Sequence, residues 1–286
     1  MHRLRIQHLT EYQFSASVTL NPHRLLLRPR EGHDVRIESS RLSISPNYQI
    51  HWHRDVFDNS VAMVNFAQTS HRLSIFSEVV IQHYADPNLS ANPELILKTA
   101  TFKYDSQECL ELSAFRKPVY LDDKLAVSQW LHKLGICEHC QQSLPLLLRL
   151  NQAINQQFSY RIREEVGVQS PALTIQLGNG SCRDYATLMM EACRLMGFAS
   201  RFVSGYLHAP ATEAGNATTH AWTEVYLPGF GWQGFDPTSG CITGNQHIAV
   251  AVARIPELVS PVSGSYIGPR NTPAILIVNV KVNKLA

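Results

Sequence analysis

The sequence predicts an α+β protein in two parts: an antiparallel β-rich domain over residues 1–88, and a second unit over residues 89–286 in which helices lead into a sheet. Three observations carry this reading. The first eighty or so residues alternate apolar and polar positions in short runs, and from about residue 122 the apolar period lengthens to that of helices. A glycine-rich turn near residue 180 then opens a strongly helical stretch that is followed by further alternating segments.

The N-terminal runs, residues 2–8, 35–44, 50–54, 61–66 and 73–81, are separated by Asn-Pro, Arg-Pro, Glu-Gly, Ser-Pro and Asp-Asn pairs, which punctuate strands. His8, Arg28 and His53 are scattered among them and define no site, so solvated or hydrogen-bonded surface roles are expected for them. Residues 84–93 are polar and turn-rich and mark the boundary. Beyond it, residues 122–134 carry Leu125, Val127, Trp130, Leu131 and Leu134 at helical spacing, with Gly135 as a stop. Residues 145–158 carry Leu146, Leu147, Leu150, Ile154 and Phe158 in the same way. Trp130 therefore reads as core.

Composition narrows the function classes. The chain of 286 residues is 44% hydrophobic and 17% charged, and its 25 basic and 23 acidic residues leave a formal charge of +2. No nucleic-acid partner and no membrane partner is expected from that balance. The N-terminus lacks a continuous apolar leader and no later run reaches the length of a membrane span, which makes a cytoplasmic location the expectation. Six cysteines in a chain long enough to bury a core do not call for disulfides. Cys137, His139 and Cys140, with His132 upstream, superficially suggest a zinc or redox site, but only one close cysteine pair is present. An ordinary helix connection is expected there, with no metal and no cofactor.

The chemistry-bearing segment begins at Asn179-Gly180-Ser181, ahead of a helix expected over residues 182–196 and stopped by Gly197. Cys182 falls at its start, where unpaired N–H groups and the positive end of the helix dipole stabilise a thiolate and an oxyanion. Met189 and Met190 read as packing residues. Cys193, about three turns further along nearly the same face, reads as core rather than as a redox partner.

Residues 198–207 and 219–227 read as strands joined by a polar loop over 210–218, and residues 232–235 form a further strand ending at Asp236-Pro237. Alternation places His220, Trp222, Glu224 and Tyr226 on one strand face. Adjacent antiparallel strands would then hold His220 beside Asp236 and turn both toward Cys182. In that arrangement His220 takes the thiol proton and Asp236 orients the imidazole. Glu224 is the alternative imidazole partner, less suited because it shares the histidine's own strand. Trp222, Glu224, Tyr226 and Trp232 are expected as walls of the substrate site, with packing in the sheet as the other reading of the aromatics.

At this point the sequence resembles the bacterial transglutaminase-like protein family. The likeness is carried by GNGSCRDYATLMMEACRLMGFASRFVSGYL, THAWTEVYLPGFGWQGFDPTSG and GNQHIAVAVAR, and in the N-terminal part by HLTEYQFSASVTLNPHRLLLRPR, LSISP and DVFDNS. It implies a papain-like transglutaminase core preceded by the family's β-rich region, with Cys182 as nucleophile, His220 as base and Asp236 as its orienting partner. Two departures are visible: Ala199-Ser200 where the family usually has Pro-Ala, and Ala253-Arg254 where it usually has Gly-Arg. The resemblance implies a cysteine-dependent hydrolase of peptide, isopeptide or glutamine-type amides in a peptide or protein substrate. A transferase using an amine acceptor and a non-catalytic peptide-binding or assembly protein are the alternatives. The oligomeric state is not legible.

Overall fold

The computed structural model describes residues 2–84, 102–136, 143–163, 165–208, 219–270 and 272–285. Its N-terminal part consists of β1 (His2–Leu20), β2 (His23–Leu25), β3 (Val35–Ser45), β4 (Tyr48–Arg54), β5 (Ser60–Phe66) and β6 (Thr69–His83). These strands divide between two antiparallel sheets, β1-β6-β3 and β2-β5-β4. Phe14, Val18, Leu20, Leu25, Ala62, Val64, Leu73 and Ile75 are buried in one shared cluster, as expected when each sheet turns its apolar face to the other.

The second part begins with α1 (Ser106–Glu111), α2 (Lys124–Lys133) and α3 (Leu144–Gln157), followed by β7 (Ser159–Tyr160), α4 (Pro171–Leu177), β8 (Asn179–Gly180) and α5 (Cys182–Leu195). It continues as β9 (Ser200–Leu207), β10 (His220–Leu227), β11 (Gly231–Asp236), β12 (Cys241–Ile242) and β13 (His247–Ala253), and ends in β14 (Val262–Ser263), β15 (Tyr266–Ile267) and β16 (Ala274–Lys284). A five-stranded antiparallel sheet runs in the order β12-β11-β10-β9-β13.

α5 packs on that sheet through Tyr185, Leu188, Met189, Ala192 and Cys193, in one core with Trp130 and Leu131 of α2, Leu147, Leu150 and Ile154 of α3, and Val225, Leu227 and Phe235 of the sheet. Trp130 is core, as its spacing suggests, and its indole N–H donates to Gln157 Oε1 at 3.1 Å. Leu125 instead faces solvent, because at 3.6 residues per turn it falls on the opposite side of α2 from Val127, Trp130 and Leu131. Cys193 is fully buried, and burial pushes its thiol pKa up, in keeping with a core role.

Two expectations change here. The last strands, placed by sequence in the 89–286 unit, add to the N-terminal sheets: β14 pairs with β2, while β15 and β16 pair with β1. The reason is the free edge of the long strand β1, which β16 covers from Phe14↔Ala274 to Leu4↔Lys284 while burying Val280 and Val282 beside Leu4 and Ile6. His8 is not a surface residue but 1% exposed, on the inward face of β1, where its ring nitrogens meet the Tyr206 hydroxyl at 2.9 Å and the Thr10 hydroxyl at 3.0 Å. Burial lowers its pKa to about 4, so the imidazole is neutral. The boundary expected at 84–93 and the loop expected at 210–218 fall almost wholly outside the described residues, as do Cys137, His139 and Cys140.

One core joins the two parts. Leu4, Ile6, Val79 and Ile81 of the first sheet pack with Ala186 and Met190 of α5, Phe202 and Tyr206 of β9, and Ile248 and Val250 of β13. The thiol-bearing helix is thus held between its own sheet and the N-terminal one.

Candidate active site

The turn before Cys182 is built to tight tolerances. α4 ends at Gly178, whose φ of +64° is the left-handed conformation that favours glycine, and the chain then runs through β8 beside β7 as a short parallel ribbon. At Gly180 a side chain would place Cβ 2.9 Å from the Asp184 Cβ and 3.0 Å from Gln169 Nε2. Asp184, fully buried, accepts on Oδ2 from the Ser181 N–H at 2.8 Å and the Ser181 hydroxyl at 2.7 Å. Its Oδ1 accepts from the Gln169 N–H and from the Arg163 guanidinium, both at 2.7 Å. This carboxylate, in the first turn of α5 where a negative charge is favoured, ties the turn, Arg163 and Gln169 to the helix that carries Cys182.

The sheet brings the other two groups to it. Thr223 Oγ1 donates to the Ala186 carbonyl at 2.7 Å, clamping β10 against α5, and His220 opens that strand opposite Gly205 of β9. His220 Nε2 stands 2.9 Å from Oδ2 of Asp236, at the end of the neighbouring strand β11. Burial opposes a charge on His220. Hydrogen bonds to Asp236 and to Cys182, and the attraction of both groups, outweigh it and push the imidazole pKa up to about 10. Burial likewise works against an ionised Asp236, but hydrogen bonds from His220 and His247, and the attraction of His220, hold its carboxyl below the usual range. The structure thus brings Cys182, His220 and Asp236 together.

Three further residues were not singled out by sequence. Asp184 is one. Tyr160, half exposed on β7, is a second: burial and its contact with Cys182, by charge and by hydrogen bond, push its phenol up to about 12, leaving it a protonated donor. His247 is the third, its Nε2 lying 3.1 Å from the same Asp236 oxygen that holds His220. Asp184 and His247 lie within quoted motifs, as the D after CR and the H of GNQHIAV, whereas Tyr160 lies in none.

The expected wall residues lie elsewhere. Trp222 is 2% exposed and packs behind His220 with Val203 and Val252, its ring meeting that of His247 edge-on at 5.2 Å. Glu224 is bound to Arg201 at 2.7 Å and is not the imidazole partner. Arg201 also covers the Trp232 ring at 4.2 Å, and Trp232 packs on Tyr226 and Phe115. Further along that face, Tyr226 and Trp232 turn toward the 102–116 segment. Cys182 and His220 instead open into a cleft of about 410 Å³, whose apolar walls include Ile162, Val168, Phe202, Val259 and Pro261, with Arg163, Arg183 and Glu257 as its charged members. A second depression of about 430 Å³, lined by Arg28, Trp52, His53, Arg54 and Ser60, offers no nucleophile paired with a base.

His220, Asp236 and His247 are also the group able to hold a metal ion among the described residues, with their ligand atoms within 4.8 Å of one another. Their nitrogens are committed to Asp236 by hydrogen bonds, so an ion there would displace the contacts that orient His220.

A helix-borne thiol facing a histidine and an aspartate on an antiparallel sheet defines a papain-like core, and comparisons agree. Residues 4–82 match the bacterial transglutaminase-like N-terminal region, and residues 116–237 match the transglutaminase-like superfamily. The chain belongs to that superfamily, in a bacterial form carrying this N-terminal region. It is 28% identical to an uncharacterized protein of Mycobacterium tuberculosis, over 92% of this chain and 87% of the relative. It is 25% identical to one of Mycobacterium leprae, over 98% and 99% respectively. Among solved structures, a candidate cysteine protease from Cytophaga hutchinsonii shares the fold with a TM-score of 0.76 at 17% identity, across 100% of this chain and 91% of that one. No described helix is long and apolar enough to cross a membrane.

Proposed function

We propose that the protein is a cysteine-dependent hydrolase of peptide, isopeptide or glutamine-type amides in peptide or protein substrates. The observation that carries this is the convergence of Cys182 and Asp236 on one buried imidazole, at the mouth of a cleft large enough for a side chain and its flanking backbone. With Nε2 held by Asp236, Nδ1 is the nitrogen left to face the thiol.

In this reading the proton passes from Cys182 to His220 and the thiolate attacks the amide carbon. The carbonyl pair moves onto oxygen, where N–H groups of the first turn of α5 can receive it. Collapse re-forms the carbonyl, breaks the C–N bond and expels an amine or ammonia that takes the proton from His220, leaving a thioester. Water, deprotonated by His220, then attacks the thioester, and the acid product departs as Cys182 regains its proton.

One observation favours the transferase as a second reading. Glu257 lines the same cleft, its carboxylate held at 3.2 Å by the Tyr120 hydroxyl, and it could attract the cation of a lysine or polyamine acceptor. Incubating the protein with a diverse peptide mixture, with and without a primary amine, separates the two by mass spectrometry. Cleavage or deamidation without amine incorporation supports the hydrolase, and efficient incorporation supports the transferase. Activity that survives Cys182→Ala unchanged refutes both.

A further inference from the structure

We propose that His247 is a positioning residue of this site: its Nε2–H fixes the Asp236 carboxylate so that the remaining hydrogen-bonding direction points at His220. The proposal rests on the reading of Cys182, His220 and Asp236 as the reacting set.

The tautomer follows from donors. The Gly244 N–H, which can only donate, points at His247 Nδ1 from 3.4 Å, so that nitrogen carries the lone pair and Nε2 carries the hydrogen. Nε2 then donates to Asp236 Oδ2 at 3.1 Å, while the Thr238 N–H donates to Oδ1 at 2.9 Å. His220 completes the set at 2.9 Å on Oδ2. Three donors from three directions leave a 1%-exposed carboxylate no rotation that keeps them all.

His247 is itself held. It sits on β13, paired with Leu207 of β9, with the Trp222 ring against it edge-on at 5.2 Å and the His220 ring at 5.9 Å. Trp222 therefore packs against both imidazoles, and its burial behind the cleft acquires a purpose. The sheet order β11-β10-β9-β13 places the Asp236 strand and the His247 strand on opposite sides of β10 and β9, so the two side chains meet across the strand that bears the base. A residue that packs only for stability would not need a donor at this point. One that positions Asp236 does.

Two readouts test this. In wild-type protein, ¹⁵N NMR of the histidine side chains should show His247 as the neutral Nε2–H tautomer. An Nδ1–H or doubly protonated ring overturns the proposal, whether or not the protein is catalytically active. The second readout is the rate of Cys182 alkylation by iodoacetamide in H247F and H247Q. Phe keeps the ring contact with Trp222 but donates nothing, whereas Gln supplies an amide N–H near the Nε2 position. Loss of a hydrogen bond to a charged group should slow Cys182 by about tenfold in H247F, with H247Q recovering to within about threefold of wild type. Rates in H247F within about twofold of wild type overturn the proposal, as does an H247Q protein as slow as H247F. Should H247F fail to fold, the tautomer and the H247Q rate still decide. If wild-type Cys182 shows no enhanced reactivity at all, the hydrolase reading fails, and the NMR arm alone reports whether His247 donates to Asp236.

Discussion

Asp236 is the residue on which the site turns, because a carboxylate that is 1% exposed must collect donors to stay ionised, and it collects His220, His247 and the Thr238 N–H. Asp236→Asn keeps the shape but substitutes an amide that no longer balances an imidazolium. Turnover in the peptide assay should fall by about a hundredfold or more with the fold retained by circular dichroism. His220→Ala removes the proton carrier, and a loss of about 10²–10⁴-fold is expected. Because the three groups are already saturated by hydrogen bonds, mild chelation should leave Cys182 alkylation unchanged; a rate that falls on chelation and returns with zinc would show a metal at work.

Cys182, His220 and Asp236 could be singled out in the sequence because each lies in a contiguous motif with a recognisable local structure: a glycine turn into a helix, a strand start, a strand end. Tyr160 and His247 were not. Tyr160 reaches Cys182 only because β7 pairs in parallel with β8, a contact between residues twenty apart that no periodicity encodes. His247 reaches Asp236 across two intervening strands.

Among the elements, α5 is the organising piece, and its start is fixed by packing that tolerates no added atom at Gly180. Gly180→Ala would push on the Asp184 side chain that holds Ser181, Arg163 and Gln169. A destabilisation of about 1–3 kcal/mol in urea unfolding is expected, with slower alkylation of Cys182 as the turn shifts. The strand alternation of β10 was readable in advance, and it sorted inward from outward residues. What lay beyond it was the partner of the outward face: Glu224, Tyr226 and Trp232 meet Arg201, Tyr104 and Phe115 instead of the cleft, a matter of which distant segment folds over the sheet.

Taken end to end, the chain returns to where it began. β16 shields the edge of β1, and its apolar run looks the same in sequence whichever sheet it joins, so its place could be read only from the pairing. Ending the chain before Ala274 would expose Leu4, Ile6 and their neighbours along a strand edge. Lower thermal stability and concentration-dependent aggregation are expected, and the effect should reach the Cys182 helix because Val280 and Val282 share a core with α5 and β13.

The junction also titrates. His8 is neutral in the folded protein with a pKa near 4, whereas in the unfolded chain it takes a proton near 6.5. Its contribution is complete above pH 6.5 and is lost progressively as pH falls through about 4, on the order of 3 kcal/mol. His23 and His83, also lowered by burial, act in the same direction. Urea midpoints should therefore drop between pH 7 and pH 4.5, and His8→Gln should flatten part of that slope.

Everything proposed for the cleft requires Cys182 to be an activated nucleophile, and the protein carries its own control in Cys241, a free and exposed thiol. Competitive labelling with iodoacetamide at pH 7, resolved by peptide mass spectrometry, compares the two in one tube. Cys182, although less exposed, should react at least about tenfold faster than Cys241, and His220→Ala should abolish the difference. A Cys182 that labels no faster than Cys241, or keeps its advantage without His220, would leave the proposed hydrolase without its activated thiol.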